Sequence, residues 1–291
     1  MAEKIRELLR EYQQGKISRR DFMRQAIIAT GSLAAATRLL ESLLPPIAYG
    51  AQVEPSDPAL VSTDVQYGST DGTSVGAYVT RPKADGRRPA IIVVHDNGAL
   101  DEHNRDVARK LAKAGYAAIV PDLLSRQGGN ASFPNREAIA KAISSLDNEA
   151  IIKDLTGAVN YLNGQSFVQP KKIGVVGFCW GGGKTLLFTT RSKDVAASVV
   201  YYGPMLANFD DVKNITAPVL AHYGELDKPI TSQVPKLEEA MEKYGKSFEY
   251  KIFNDAPHAF NSDNRPDRYR PEAAKEAWSR TLEFFDKHLK S

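Results

Sequence analysis

Cysteine is nearly absent: the 291-residue chain has one, Cys179. That excludes an intramolecular disulfide framework and any cysteine-clustered zinc or iron–sulfur site. The lone thiol is left as a buried small hydrophobe, a liability or a nucleophile. Excess charge of either sign is scarce too. The formal net charge is +3, and residues 1–51 carry eight Lys and Arg against five Asp and Glu, so all of the excess lies there and the remainder is balanced. A neutral body has no electrostatic footprint for nucleic acid or an anionic membrane surface. Repeats and low-complexity tracts are missing. With 42% hydrophobic and 25% charged residues, the composition is globular and excludes a largely disordered chain, a collagen-like repeat and a polytopic membrane protein.

The amino-terminal segment reads as an address. Ser18-Arg19-Arg20-Asp21-Phe22-Met23-Arg24 resembles a twin-arginine export signal, and the uncharged stretch 25–37 follows it. At 13 residues that stretch is shorter than the roughly 20 a helix needs to span a bilayer, which favours a signal-peptide core over a permanent anchor. Small residues at Ala48, Gly50 and Ala51, after Pro45-Pro46, suit cleavage near residue 50. The plainer alternative is an amphipathic helix with a chance Arg-Arg pair. The expectation is a signal segment at 1–51 handled by the twin-arginine export machinery, a domain at 52–291, a periplasmic or extracellular destination and no stable membrane span.

The body alternates strand and helix. Val61–Tyr67 and Val75–Thr80 flank Ser69-Thr70-Asp71-Gly72-Thr73, a hairpin with Asp-Gly turn chemistry. Residues 90–94, Ala-Ile-Ile-Val-Val, form a continuous apolar run of the kind found in sheets covered on both faces. A helix through Val107, Leu111 and Ala114 stops at Gly115, and Tyr116–Val120 is a strand ending at Pro121-Asp122. A helix through Ile151, Leu155, Val159 and Leu162 precedes strand Ile173–Val176. Further strands are expected at Val195–Tyr201, Val219–Tyr223 and Phe248–Phe253, with a helix through Val234, Leu237 and Met241 and a closing one through Trp278, Leu282, Phe285 and Leu289. This alternation predicts an α/β fold, a mostly parallel central sheet with helices on both faces.

Gly177-Phe178-Cys179-Trp180-Gly181 directly follows one of these strands and opens a helix-compatible run. It has the form of a nucleophile elbow, G-x-S-x-G, with cysteine in the serine position. So tight a turn needs positions two removed from the nucleophile to be nearly free of side chain. It also sets the sulfur at a helix amino terminus, where partial positive charge favours thiolate and developing oxyanion. The alternative is a core cysteine beside a Gly-rich turn. Gly181-Gly182-Gly183-Lys184-Thr185 ends like a phosphate-binding loop, but the glycine that motif needs five positions before Gly183 is Phe178, so the register fails.

An elbow nucleophile needs a base and an orienting acid, in the order nucleophile, acid, histidine. His258, in Asp255-Ala256-Pro257-His258-Ala259-Phe260, follows the strand ending at Phe253. Asp227, in Gly224-Glu225-Leu226-Asp227, follows the strand Val219–Tyr223 and reaches the same sheet edge. Asp255 and Glu225 are competing acids. His222, inside a strand, is better read as a core histidine.

These blocks, with Val94-His95-Asp96-Asn97 and Pro121-Asp122-Leu123-Leu124-Ser125-Arg126-Gln127, resemble the dienelactone hydrolase family of the α/β-hydrolases over roughly residues 60–290. The resemblance implies an eight-stranded α/β-hydrolase core without a large lid, no metal and no organic cofactor. It makes Cys179 the nucleophile, Asp227 the acid and His258 the base, with the backbone amides of Trp180 and Asn97 as oxyanion hole. In the family a glutamate after the first parallel strand holds the resting thiol; here Asp96 stands there, shorter by one methylene, a reach difference of about 1.5 Å. The family's type case clamps a substrate carboxylate between two arginines. Arg126 matches the first; the second position is Ser262, with Arg265 nearby but out of register.

The implied reaction is acyl transfer to water: hydrolysis of a small-molecule ester or lactone through a thioester acyl-enzyme, as in a carboxymethylenebutenolidase. The missing second arginine points instead to a general short-chain carboxylesterase, and Asp96 to a catalytically silent exported ligand-binding module. A thiol redox protein would lack a resolving cysteine.

Overall fold

The computed structural model describes residues 53–290, together with Arg24, Gln25 and residues 27–29, which are helical. The twin-arginine-like motif and the expected cleavage region therefore lie largely outside the described residues. Among the described residues no helix is long and apolar enough to cross a membrane.

Eight strands form one sheet: β1 (Leu60–Gly68), β2 (Ser74–Pro82), β3 (Arg88–Val94), β4 (Ala117–Pro121), β5 (Val168–Phe178), β6 (Ala197–Tyr201), β7 (Val219–Gly224) and β8 (Phe248–Phe253). Their spatial order is β1-β2-β4-β3-β5-β6-β7-β8. The β1–β2 hairpin closes through the expected turn, where Asp71 accepts from the Thr73 amide at 3.1 Å. β2 pairs antiparallel with β4, and every pairing from β4 to β8 is parallel. This is the α/β-hydrolase fold.

Among residues 53–290 the α-helices longer than one turn are α1 (Glu102–Lys113), α2 (Arg136–Ser144), α3 (Asn148–Asn163), α4 (Trp180–Arg191), α5 (Val234–Lys243) and α6 (Pro271–Leu289). Alternation along β3 explains how they share the sheet. Ile91 and Val93 face a core built with Val107 and Leu111 of α1 and Phe284, Phe285 and Leu289 of α6. Ala90, Ile92 and Val94 face the opposite core, with Leu155 and Val159 of α3 and Phe188 of α4. A strand covered on both faces has no polar side to show, hence its unbroken apolar run.

The largest departures from the sequence reading are at β5 and α2. β5 begins at Val168 rather than Ile173, because Gln169-Pro170-Lys171-Lys172 interrupts the apolar pattern; the strand crosses that stretch with Lys171 at φ +63° and a register shift opposite Arg88 and Ala90. Helix α2 had no counterpart. It is short and buries only Ala142 and Ile143, too few positions to mark a helical period.

The strand order reverses around β3, which sits between β4 and β5. In open α/β sheets ligands bind outside the carboxyl ends of the strands at such a switch point. The loops leaving β3, β4, β5, β7 and β8 carry the residues singled out above.

Candidate active site

Cys179 occupies the turn from β5 into α4 at φ +54°, ψ −124°, a conformation a β-carbon disfavours. The flanking glycines make it possible. A Cβ at Gly177 would lie 2.3 Å from the Gly181 carbonyl oxygen, and one at Gly181 would lie 2.3 Å and 2.4 Å from those of His95 and Val94. A side chain at Gly181 would force the elbow off the end of β3, and one at Gly177 would force β5 off the first turns of α4. The Cys179 amide donates to the Tyr201 carbonyl at 3.0 Å, which ties the turn to β6. The Trp180 amide, first in α4, points out of the helix without an intrahelical acceptor.

His258 and Asp227 converge on this sulfur. His258 Nε2 lies 3.0 Å from Cys179 Sγ, and His258 Nδ1 lies 2.6 Å from Asp227 Oδ2. The loops after β7 and β8 are laced together: the Glu225 amide donates to Phe253 and the Leu226 amide to Ala256. A Cβ at Gly224 would sit 2.4 Å from the Ala256 carbonyl oxygen, so glycine lets the two loops close to this distance. Asp227 itself is buried. Burial works against the imidazolium of His258, but the bond to Asp227 and the contact with Cys179 outweigh it and raise the pKa to about 9. Such a relay can take a proton from the sulfur and return it to a departing group.

Of the competing residues, Glu225 and His222 are engaged elsewhere. Glu225 accepts from the Asp255 amide at 3.1 Å. His222 is buried in β7, with Nε2 3.1 Å from Thr281 Oγ1, and burial pushes its pKa down to about 3.

The structure does not bring Asp96 into hydrogen-bonding contact with the thiol. Its Oδ1 accepts from the Gly98 amide at 2.8 Å, and its Oδ2 lies 3.5 Å from Arg265 Nη2. The Gly98 and Ala99 amides both turn back to Asp96. The amide of Asn97, between Asp96 and Gly98, has no acceptor among the described residues, and Asn97 is exposed. His95 underlies this loop: Nδ1 donates to the Asp96 carbonyl, Nε2 accepts from the Leu123 amide, and the ring stacks on Trp180.

Arg126 is also held away from the thiol. Its guanidinium grips Asp154 with Nε and Nη2 at 3.1 and 2.7 Å, and also bonds Asp71, Ser69 and Thr73. Every nitrogen of the fork has an acceptor in this cluster.

One residue of the site, Tyr202, was not anticipated, and a second, Arg265, was noted in the sequence only as out of register. The Tyr202 ring stands edge-on to His258 with centroids 5.1 Å apart, and its backbone is strained at φ +38°. Its sequence signal was an aromatic pair followed by glycine at the end of β6. Arg265 reaches Asp96 although it is out of register for the family's second arginine; counting residues along an irregular loop could not pair the two.

Residues 75–289 match the dienelactone hydrolase family. The chain belongs to that family. It is 32% identical over 273 residues to a Methylorubrum extorquens protein that bears the name carboxymethylenebutenolidase, covering 90% of this chain and 92% of that one. A Bradyrhizobium protein named as a 2-oxo-3-(5-oxofuran-2-ylidene)propanoate lactonase is 36% identical over 231 residues, covering 76% and 92%. The crystal structure of a Klebsiella pneumoniae protein named as a dienelactone hydrolase superposes with a TM-score of 0.73 at 31% identity, covering 79% of this chain and 99% of that one. This dienelactone hydrolase family member is a hydrolase, and ester or lactone hydrolysis fits its site.

Proposed function

We propose that the chain hydrolyses a carboxylic ester or lactone through a Cys179–His258–Asp227 triad and a thioester acyl-enzyme. The observation that carries this reading is the continuous relay from sulfur through imidazole to carboxylate, built on a strained elbow. His258 Nε2 takes the thiol proton and the sulfur attacks the carbonyl carbon. The amides of Trp180 and Asn97 receive the tetrahedral oxyanion. The C–O bond breaks, and the proton on Nε2 passes to the departing alkoxide. Water then attacks the thioester while His258 takes its proton; the C–S bond breaks, and the proton returns to sulfur, releasing the acid. Asp227 fixes the Nδ1–H tautomer and stabilises the imidazolium.

The relatives' names make an unsaturated lactone bearing a carboxylate one substrate class. The engagement of Arg126 by Asp154 and Asp71, together with Ser262, argues against a two-arginine clamp as the means of recognition. Hydrolysis of carboxylate-bearing lactones, neutral lactones and short-chain neutral esters by the wild type and by Cys179→Ala tests both points. Turnover that survives in Cys179→Ala rejects the mechanism. The amino-terminal sequence supports export by the twin-arginine route, in which case replacing Arg19 and Arg20 by lysine retains the chain in the cytoplasm; unaltered export rejects that route.

A further inference from the structure

Beside the elbow a cavity of about 350 Å³ opens between α4 and the loop after β6. Trp180 and Lys184 form one side of it, and Leu187, Pro204, Met205 and Leu206 line the rest with apolar surface. Two cations, Lys184 and Arg191, face one acid, Asp211. Arg191 lies 3.8 Å from Glu149 at the exposed edge of α4. Lys184 differs. Its Nζ lies over the Trp180 ring, 5.3 Å from the centroid, and donates to Asn148 Oδ1 at 2.6 Å, a neutral acceptor. Among the described residues no carboxylate forms an ion pair with it. An ammonium half-removed from water and given only an amide oxygen and an aromatic face has no formal counter-charge, and burial lowers its pKa.

Trp180 connects this lysine to the reaction. Its backbone amide is the proposed oxyanion donor, and its indole is the cavity wall beneath Lys184. Lys184 is four residues further along α4, on the same helical face, and the rise from Cys179 to Lys184 is about 7.5 Å. The cavity therefore shares one residue, Trp180, with the proposed oxyanion site. A short methylene chain would cross the apolar wall and end at the ammonium.

We propose that this cavity is the acyl subsite, and that it selects esters whose acyl chain ends in a carboxylate, which Lys184 receives while Leu187, Met205 and Leu206 cover the methylenes. The inference rests on the hydrolase reading above and names its substrate class. Lys184 thereby acquires a role that has nothing to do with the phosphate-loop pattern its neighbours imitate.

The test compares mono-(4-nitrophenyl) glutarate with 4-nitrophenyl pentanoate, reading the ratio of their kcat/KM values so that any loss common to both esters cancels. The expected result is a ratio that falls at least tenfold in Lys184→Met and is retained in Lys184→Arg. A direct binding measurement accompanies it. In a Trp278→Phe chain, where Trp180 is the remaining tryptophan, free glutarate quenches emission saturably, and Lys184→Met removes the quenching. Ester turnover with a ratio indifferent to Lys184 and no quenching overturns the subsite and leaves the hydrolase reading intact. Lysine-dependent quenching without turnover of either ester supports the subsite and overturns the esterase chemistry instead.

Discussion

His258 Nε2 lies 3.0 Å from Cys179 Sγ although 79 residues separate them in the chain. The contact exists because β5 and β8 end at the same edge of the sheet. The imidazole is held from its far side by Asp227 and packed edge-on by Tyr202, so its position does not depend on the sulfur. His258→Ala is therefore expected to keep the native circular dichroism spectrum while ester turnover drops by about 10² to 10⁴, the usual worth of a positioned acid or base. Steady-state kinetics on one ester, alongside the spectrum, check both halves.

Asp227→Asn removes the largest contribution that raises the His258 pKa. The ring should titrate near 9 in the wild type, and in the variant its pKa should move down toward the ordinary histidine value of about 6.5. NMR of the imidazole protons across pH measures this. The sign for stability follows. A folded-state pKa raised above the unfolded one contributes stability that is full below about 6.5 and is lost as pH rises through about 9. Between those limits the stability of the wild type should decline with pH more than that of Asp227→Asn, which denaturant midpoints at pH 6 and pH 9.5 would show.

Gly181→Ala puts a methyl group within 2.4 Å of two backbone carbonyl oxygens of the β3 end. Backbone cannot rotate away as a flexible side chain can. The elbow must shift, at a cost on the order of 1–3 kcal/mol, with turnover lost through displacement of Cys179 and the Trp180 amide. Denaturant unfolding gives the first quantity and ester hydrolysis the second.

Arg126→Ala leaves the Asp154 carboxylate, 1% exposed, without its bidentate partner. Because Arg126 is 23% exposed, the cost falls below that of a fully buried pair, at roughly 1–3 kcal/mol. The variant should lose stability by that order, and Arg126→Ala with Asp154→Leu should recover much of it. A stability unchanged by Arg126→Ala, with KM raised for carboxylate-bearing substrates, would place the arginine in substrate recognition instead.

The sheet was legible wherever burial imposed a period. β3 reads directly because both faces are covered, and α6 because Leu282, Phe285 and Leu289 repeat along one side. The elbow was legible because three constraints coincide in five residues: an apolar strand before it, two glycines that steric contact requires, and a helix after it. Loop placements were not. Whether Asp96 meets the thiol or Arg265 depends on how the chain turns through Gly98 and Ala99, the latter at φ +57°, and no short-range pattern encodes that turn. Arg126 shows the same limit from another side. Its motif position was readable, but its partners Asp71 and Asp154 come from a hairpin turn and a helix, one 55 residues away in sequence and the other 28.

The most direct measurement is the mass of the intact protein, and of its Cys179 peptide, after rapid acid quench during turnover of a slowly hydrolysed ester. Addition of one acyl group, located on Cys179 and absent in Cys179→Ala, is the predicted result. Sustained turnover with no adduct on Cys179, together with full activity in Cys179→Ala, would contradict it.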